Sequence, residues 1–189
     1  MNEPMDAPID KSTWGDGPWQ TEPDRVEWRH AGLPCLAHRG PMGNWCGYAA
    51  VPPGHPLHGT AYPDADVSVH GGLTYSDRCS GAICHVPNPG EPDDVWWFGW
   101  DCGHAWDFSP ALAAQIRGAN FFALPFLLEP YDHAAAMAAD PSSPTWPWRE
   151  IYRTLDYVQA ETNRLAEQLA AVVKPITGAG AHEDLKFRT

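Results

Sequence analysis

Positive charge is scarce in this chain. Lysine and arginine number 12 against 24 aspartates and glutamates, for a formal net charge of −12, and no segment gathers the basic residues together. A basic face is the electrostatic footprint of nucleic-acid binding, so no nucleic-acid partner is expected. An anionic small ligand is admitted only through local backbone N–H groups, histidines or a metal, because the overall field opposes it. Long apolar runs are missing too. A membrane span needs about 20 apolar residues. The longest run, Asn120 to Leu128, is short and broken by Pro125, so no membrane partner is expected. The opening MNEPMDAPID has neither a basic region nor an apolar stretch, which predicts no secretory leader. Cysteine is sparse: five residues without a leader predict a cytoplasmic protein whose thiols are reduced or bind metal rather than forming disulfides.

What is present points to a folded domain. The 189 residues, 43% hydrophobic, suit one domain with a real core. Ten tryptophans exceed what that core readily holds, which hints at a ligand-facing aromatic wall. Residues 1–24 are polar, rich in Pro, Asp and Gly, and read as a loose extended arm that Trp14 and Trp19 could pin. Residues 25–174 make the globular domain, and 175–189 a tail.

Strands are predicted at Val26–His30, Pro34–Arg39 and Asn44–Val51, then at Val67–His70 and Leu73–Ser76 on either side of Gly71-Gly72. Asp77–Asp94 reads as loop. Val95–Asp101 is apolar on both faces and belongs in the middle of a covered sheet. Short helices are predicted at Pro110–Arg117 and Asp132–Ala139, with a Pro-rich connector over 141–148. Ile151, Leu155, Val158, Thr162, Leu165, Leu169 and Val172 form one stripe of a helix from about Thr154 to residue 173, with Thr154 as N-cap. Asp156, Glu161, Arg164, Glu167 and Gln168 take its opposite face. The expected fold is α+β, a small mixed or mainly antiparallel sheet with the long C-terminal helix on one face. Docking on the sheet is the preferred use of the stripe; a homodimer through the C-terminal helix is the alternative.

Two segments could carry chemistry. In the first, His70 and Thr74 would share a strand face, and Gly71 and Gly72 would let a ligand approach closely. His70 would be the acid/base, with Thr74 and the glycine amides holding an oxyanion or phosphate. The plainer reading is a Gly-Gly bend with a core histidine. In the second, Trp97, Gly99 and Asp101 share a face, Gly99 leaving a gap beside the Asp101 carboxylate and Trp97 forming its wall; Cys102, His104 and Asp107 follow at the strand end. The plainer reading makes Asp101 a turn cap. Asp101 would orient His70 or His104, with the two segments meeting across a shared hollow. His70, Asp101, His104 and Asp107 also offer the mixture used for a catalytic divalent metal such as zinc. Cys79, Cys84 and Cys102 could hold a structural zinc, five reduced thiols being the plainer alternative. Cys102 as a nucleophile beside His104 has poor spacing. His55 and His58 sit in a Pro-constrained loop that could serve as a lid.

The run Gly47-Tyr48 followed by Val51-Pro52-Pro53-Gly54-His55-Pro56-Leu57-His58-Gly59, then VHGGLTYS at 69–76, WWFGWDCGH at 96–104 and a helix beginning YRTLDYV resembles an uncharacterised family of phage, prophage and bacterial proteins. Its members read GYVxVPxGHP, VHGGLTYS and WWxGFDxAHxxD. The resemblance covers about residues 44–107 and 152–172, with Gly103 in place of Ala and Trp100 in place of Phe. It implies no activity.

Three functions follow as expectations. One is a hydrolase-like enzyme acting on a small nucleotide- or phosphate-containing substrate. Another is a non-catalytic binder of a nucleotide-like host signal, with Tyr75, Trp97 and Trp100 stacking on the ligand. The third is a structural or protein-interaction module.

Overall fold

The computed structural model describes residues 9–118 and 150–172. Five strands form one antiparallel sheet: β1 (Arg25–His30), β2 (Leu33–Arg39), β3 (Trp45–Val51), β4 (Tyr75–Arg78) and β5 (Trp96–Asp101), in the order β1-β2-β3-β5-β4. β1 and β2 are joined by Ala31-Gly32, both at positive φ (49° and 80°), the two-residue hairpin turn whose twist suits flanking strands. β5 lies between β3 and β4, as its two apolar faces require.

Two helices follow, α1 (Pro110–Gly118) and α2 (Leu155–Ala171). The Thr154 hydroxyl caps α2 by accepting the Tyr157 N–H. α2 lies across β2 and β3 and reaches β1. Val158, Thr162, Leu165 and Leu169 are fully buried on it, so the predicted stripe is spent on the chain's own sheet. Glu161, expected on the outer face, is buried. The protein is therefore α+β.

Strand parity divides the core. Trp96, Phe98 and Trp100 face α2, together with Trp45, Ala49 and Val51. Trp97 faces the other way, with Leu36, Tyr48, Ala50 and Val95. Trp97 and Trp100, expected to stack on a ligand, are 0% and 1% exposed on opposite sides of the sheet. Packing consumes both rings. The expected gap beside Gly99 is filled by Tyr48: a Cβ there would fall 2.4 Å from the Tyr48 ring. Tyr75 packs edge-on against that ring at 5.6 Å, which places it on the Trp97 side.

Residues 9–24 are tied into the domain rather than forming a loose arm. Trp14 and Trp19 are buried, Trp19 against Phe108 and Tyr152. Glu22 and Asp24 receive Arg39, whose side chain is 0% exposed and lies over the Trp45 ring. Glu22 also accepts the Leu155 N–H at 2.9 Å and the Tyr152 hydroxyl, fastening the segment to the start of α2. Val67–His70 is not a strand; it runs into a turn closed by Gly72 N–H to the Val69 carbonyl. Asp77 and Arg78, expected in loop, extend β4. The Asp132–Ala139 helix, the 141–148 connector and the 175–189 tail lie outside the described residues. Among the described residues no helix is long and apolar enough to cross a membrane.

Candidate functional site

A single carboxylate organises the site. Asp107 follows β5 in a segment pinned to the chain entering α2: Ile151 N–H donates to the Trp106 carbonyl, and Phe108 N–H to the Ile151 carbonyl. This pairing aligns residues 104–107 with Arg153, just ahead of the Thr154 cap, and with Tyr157 and Glu161, one turn apart on a flank of α2. The turn at 69–72 approaches the same flank, and the His70 backbone N–H donates to Glu161 Oε1 at 2.6 Å.

Two imidazoles converge on one oxygen. His70 Nε2 lies 2.7 Å and His104 Nδ1 3.2 Å from Asp107 Oδ2, and the His104 backbone N–H donates to the same atom at 3.2 Å. Arg153 Nε donates to the other oxygen at 2.9 Å, with its guanidinium over the Tyr157 ring. The Asp107 side chain is 0% exposed. Burial raises its carboxyl, but hydrogen bonds and charge from His70 and Arg153 override that and hold it below the ordinary aspartate range. The nearby Glu150 carboxyl is raised, first by burial and then by the Asp107 charge.

The two histidines differ in access. Both ring nitrogens of His70 are engaged, Nε2 by Asp107 and Nδ1 by the Tyr157 hydroxyl at 3.0 Å, and its side chain is 7% exposed. His104 is 21% exposed, and its Nε2 has no hydrogen-bond partner among the described residues. The exposed indole of Trp106 stacks parallel to it at 5.3 Å. Gly71 lies against its other side: a Cβ there would fall 1.9 Å from His104 Cε1, and the backbone φ is +67°. The glycine of the VHGG run thus makes room for this imidazole.

No family model, curated protein or solved structure matches the chain.

The structure brings His70, His104 and Asp107 together and leaves Asp101 out. Asp101 shares the Trp97 parity, faces away from α2, and accepts from the Thr74 hydroxyl at 2.8 Å and the Gly103 N–H at 2.9 Å. It caps the turn after β5; the carboxylate that meets His70 is Asp107. Thr74 accordingly belongs to the Asp101 pair and does not share a strand face with His70. Gly71 and Gly72 form the turn beside His104, and no anion cradle is built from their amides in the structure. Burial, then the Asp101 charge, push the neighbouring Cys46 thiol up to about 11.

The cysteine expectations are overturned. Cys79 and Cys84 form a disulfide across the short Ser80–Ile83 bridge, which removes both from a zinc set and from the thiol inventory. Arg25 donates to the Ala82 and Cys84 carbonyls and anchors that loop in their place. Cys102 is a buried free thiol that burial holds protonated, which argues against a nucleophile, and its two expected zinc partners are joined to each other. His55 and His58 pair with the Leu169 and Asp94 carbonyls, as an ordinary loop would. Arg153, Tyr157, Glu161 and Trp106 were not among the expected site residues. The four-residue spacing on α2 was the signal for Tyr157 and Glu161; Arg153 lies before the helix and carried none. A cavity of about 690 Å³ between Ile9, Trp14, Pro41 and Ala111 shares no residue with this cluster.

Proposed function

We propose that the protein is a small hydrolase-like enzyme acting on a nucleotide- or phosphate-containing substrate at the His70–His104–Asp107 cluster. The observation that carries this reading is the sharing of one buried carboxylate oxygen by two imidazoles, only one of which meets solvent. Roles divide accordingly. Asp107 orients both rings and balances positive charge that develops on them. His70, held on both nitrogens, fixes the carboxylate. His104, with Nδ1–H directed at Asp107, keeps Nε2 as an acceptor able to take a proton from an attacking water. The Arg153 Nη groups, which make no hydrogen bond among the described residues, supply donors for a phosphate oxygen.

A second reading, binding without turnover, is favoured by Trp106. Its half-exposed ring, already stacked on His104, offers a face to a base or sugar. Turnover of a panel of nucleotides and sugar phosphates separates the two. Loss of the general base lowers kcat/KM by about 10²–10⁴-fold, so His104→Ala, with its fold checked by circular dichroism, should show a loss of that size. One-to-one retention of an unchanged ligand supports the binder. A thermal-shift screen without a response to any of these compounds removes both readings.

A further inference from the structure

We infer that His70, His104 and Asp107 form a binding site for a divalent first-row transition metal, with three protein ligands and one open side. The inference deepens the proposed function by naming the group that would activate the water. It uses the same cluster but does not need turnover to be true.

The donor set comes first. His70 Nε2, His104 Nδ1 and Asp107 Oδ2 all lie within 4.8 Å of one another, and both nitrogens are already 2.7 and 3.2 Å from the shared oxygen. Ligands about 2.0–2.1 Å from a tetrahedral zinc sit roughly 3.3 Å apart. Small side-chain adjustments would therefore bring all three onto one ion. Among the described residues this is the one group of three such donors. Two imidazoles and a carboxylate suit zinc, cobalt, manganese or ferrous iron, and suit magnesium poorly because magnesium prefers oxygen ligands and retained water.

The surroundings fit the same purpose. A metal-bound imidazole needs a partner on its second nitrogen, and Tyr157 OH stands 3.0 Å from His70 Nδ1 to accept that proton. The free Asp107 oxygen is held by Arg153, which leaves Oδ2 turned toward the imidazoles. His104 is the most exposed of the three residues, so a metal and its further ligand would reach the site along the His104 side. With metal bound, His104 Nδ1 becomes a ligand and its ring proton sits on Nε2. A metal held there would supply a bound water of lowered pKa as the nucleophile, and His104 Nε2–H would then donate to the substrate in place of the general-base role it has without metal.

The test uses the full chain purified without a polyhistidine tag, stripped with chelator, and titrated with Co²⁺ and Zn²⁺ by calorimetry and visible absorption. The expected result is one Co²⁺ per chain with ligand-field bands, displaced by Zn²⁺, and no comparable binding of Mg²⁺. Because Asp107 is buried, its replacement could unfold the protein, so the diagnostic variant is His104→Ala. It should weaken Co²⁺ binding at least tenfold at an unchanged circular dichroism spectrum, with His58→Ala as an unaffected control. Absence of stoichiometric Co²⁺ binding, or equal affinity in His104→Ala, overturns the site. Metal binding without turnover of any substrate upholds the site and removes the hydrolase reading. Turnover that survives complete chelation in a protein that binds no Co²⁺ upholds that reading and removes the metal.

Discussion

Gly71→Ala should dislodge His104 while Gly72→Ala should not. Both glycines sit at positive φ, +67° and +91°, so either substitution costs about 1–2 kcal/mol of backbone strain. The surroundings differ. A Cβ at 72 meets nothing within 4 Å, whereas at 71 it falls 1.9 Å from His104 Cε1 and 2.0 Å from Nε2. Ordinary contact requires about 3.5 Å, so the ring must withdraw by about 1.5 Å. Its link to Asp107 Oδ2 is already 3.2 Å, and a shift of that size breaks it. A displacement of about 1 Å in a reacting group can cost about 10²-fold in rate. The variants should therefore lose similar stability in urea unfolding. Only Gly71→Ala should move the His104 side-chain ¹⁵N resonances at fixed pH and lower kcat/KM about 10²-fold. If the two variants leave the His104 resonances equally unchanged, the close approach of Gly71 to this ring is refuted.

Other perturbations test the frame around the site. Arg39→Met strands Glu22 without its cation, leaves Asp24 with Lys11 alone, and should cost about 3–5 kcal/mol, measured by chemical unfolding; a loss under about 1 kcal/mol would show that the amino-terminal segment is not fastened there. Asp107, Glu22 and Asp24 all have lowered carboxyl pKa values, so the stability they contribute is complete above the ordinary carboxylate range, about 4, and drains away as pH falls through their lower folded values. Urea midpoints should hold between pH 7 and 5 and fall steeply below about pH 4; a rise on acidification would contradict the pairing. Thr162 Oγ1 is buried without a hydrogen-bond partner among the described residues, so Thr162→Val should raise stability by about 1 kcal/mol, read from the same unfolding curves; destabilisation would mean that the hydroxyl has a partner.

The sheet and the long helix were legible because each has a period. The run WWFGWD, apolar at both strand parities, placed β5 inside the sheet, and the spacing from Leu155 to Leu169 gave α2 its buried stripe, with Thr154 ahead of it as the cap. The same parity carried a warning about the site. It set Trp97, Gly99 and Asp101 on one face, and that face turned out to be the one away from α2. The partner of His70 had to come from beyond the strand, where no period applies, and the pairing of Asp107 with Ile151 is a long-range contact that local pattern does not encode. The Arg39 cluster was missed for a related reason. An arginine closing the apolar run LPCLAHR looks like a strand end meeting solvent, and only the return of Glu22 and Asp24 over it makes burial tolerable. The Cys79–Cys84 disulfide escaped a reading based on compartment, which concerns what persists in a cell rather than which thiols the fold places side by side.

The candidate site exists because the imidazoles of His70 and His104 meet over Asp107. Nuclear Overhauser contacts between histidine ring protons in the unmodified protein test it without any substitution. The two rings, 5.2 Å apart between centroids, should show cross-peaks to each other, as His70 should to the Tyr157 ring at 5.7 Å. Cross-peaks from His70 to Tyr157 with none to His104 would contradict the shared site.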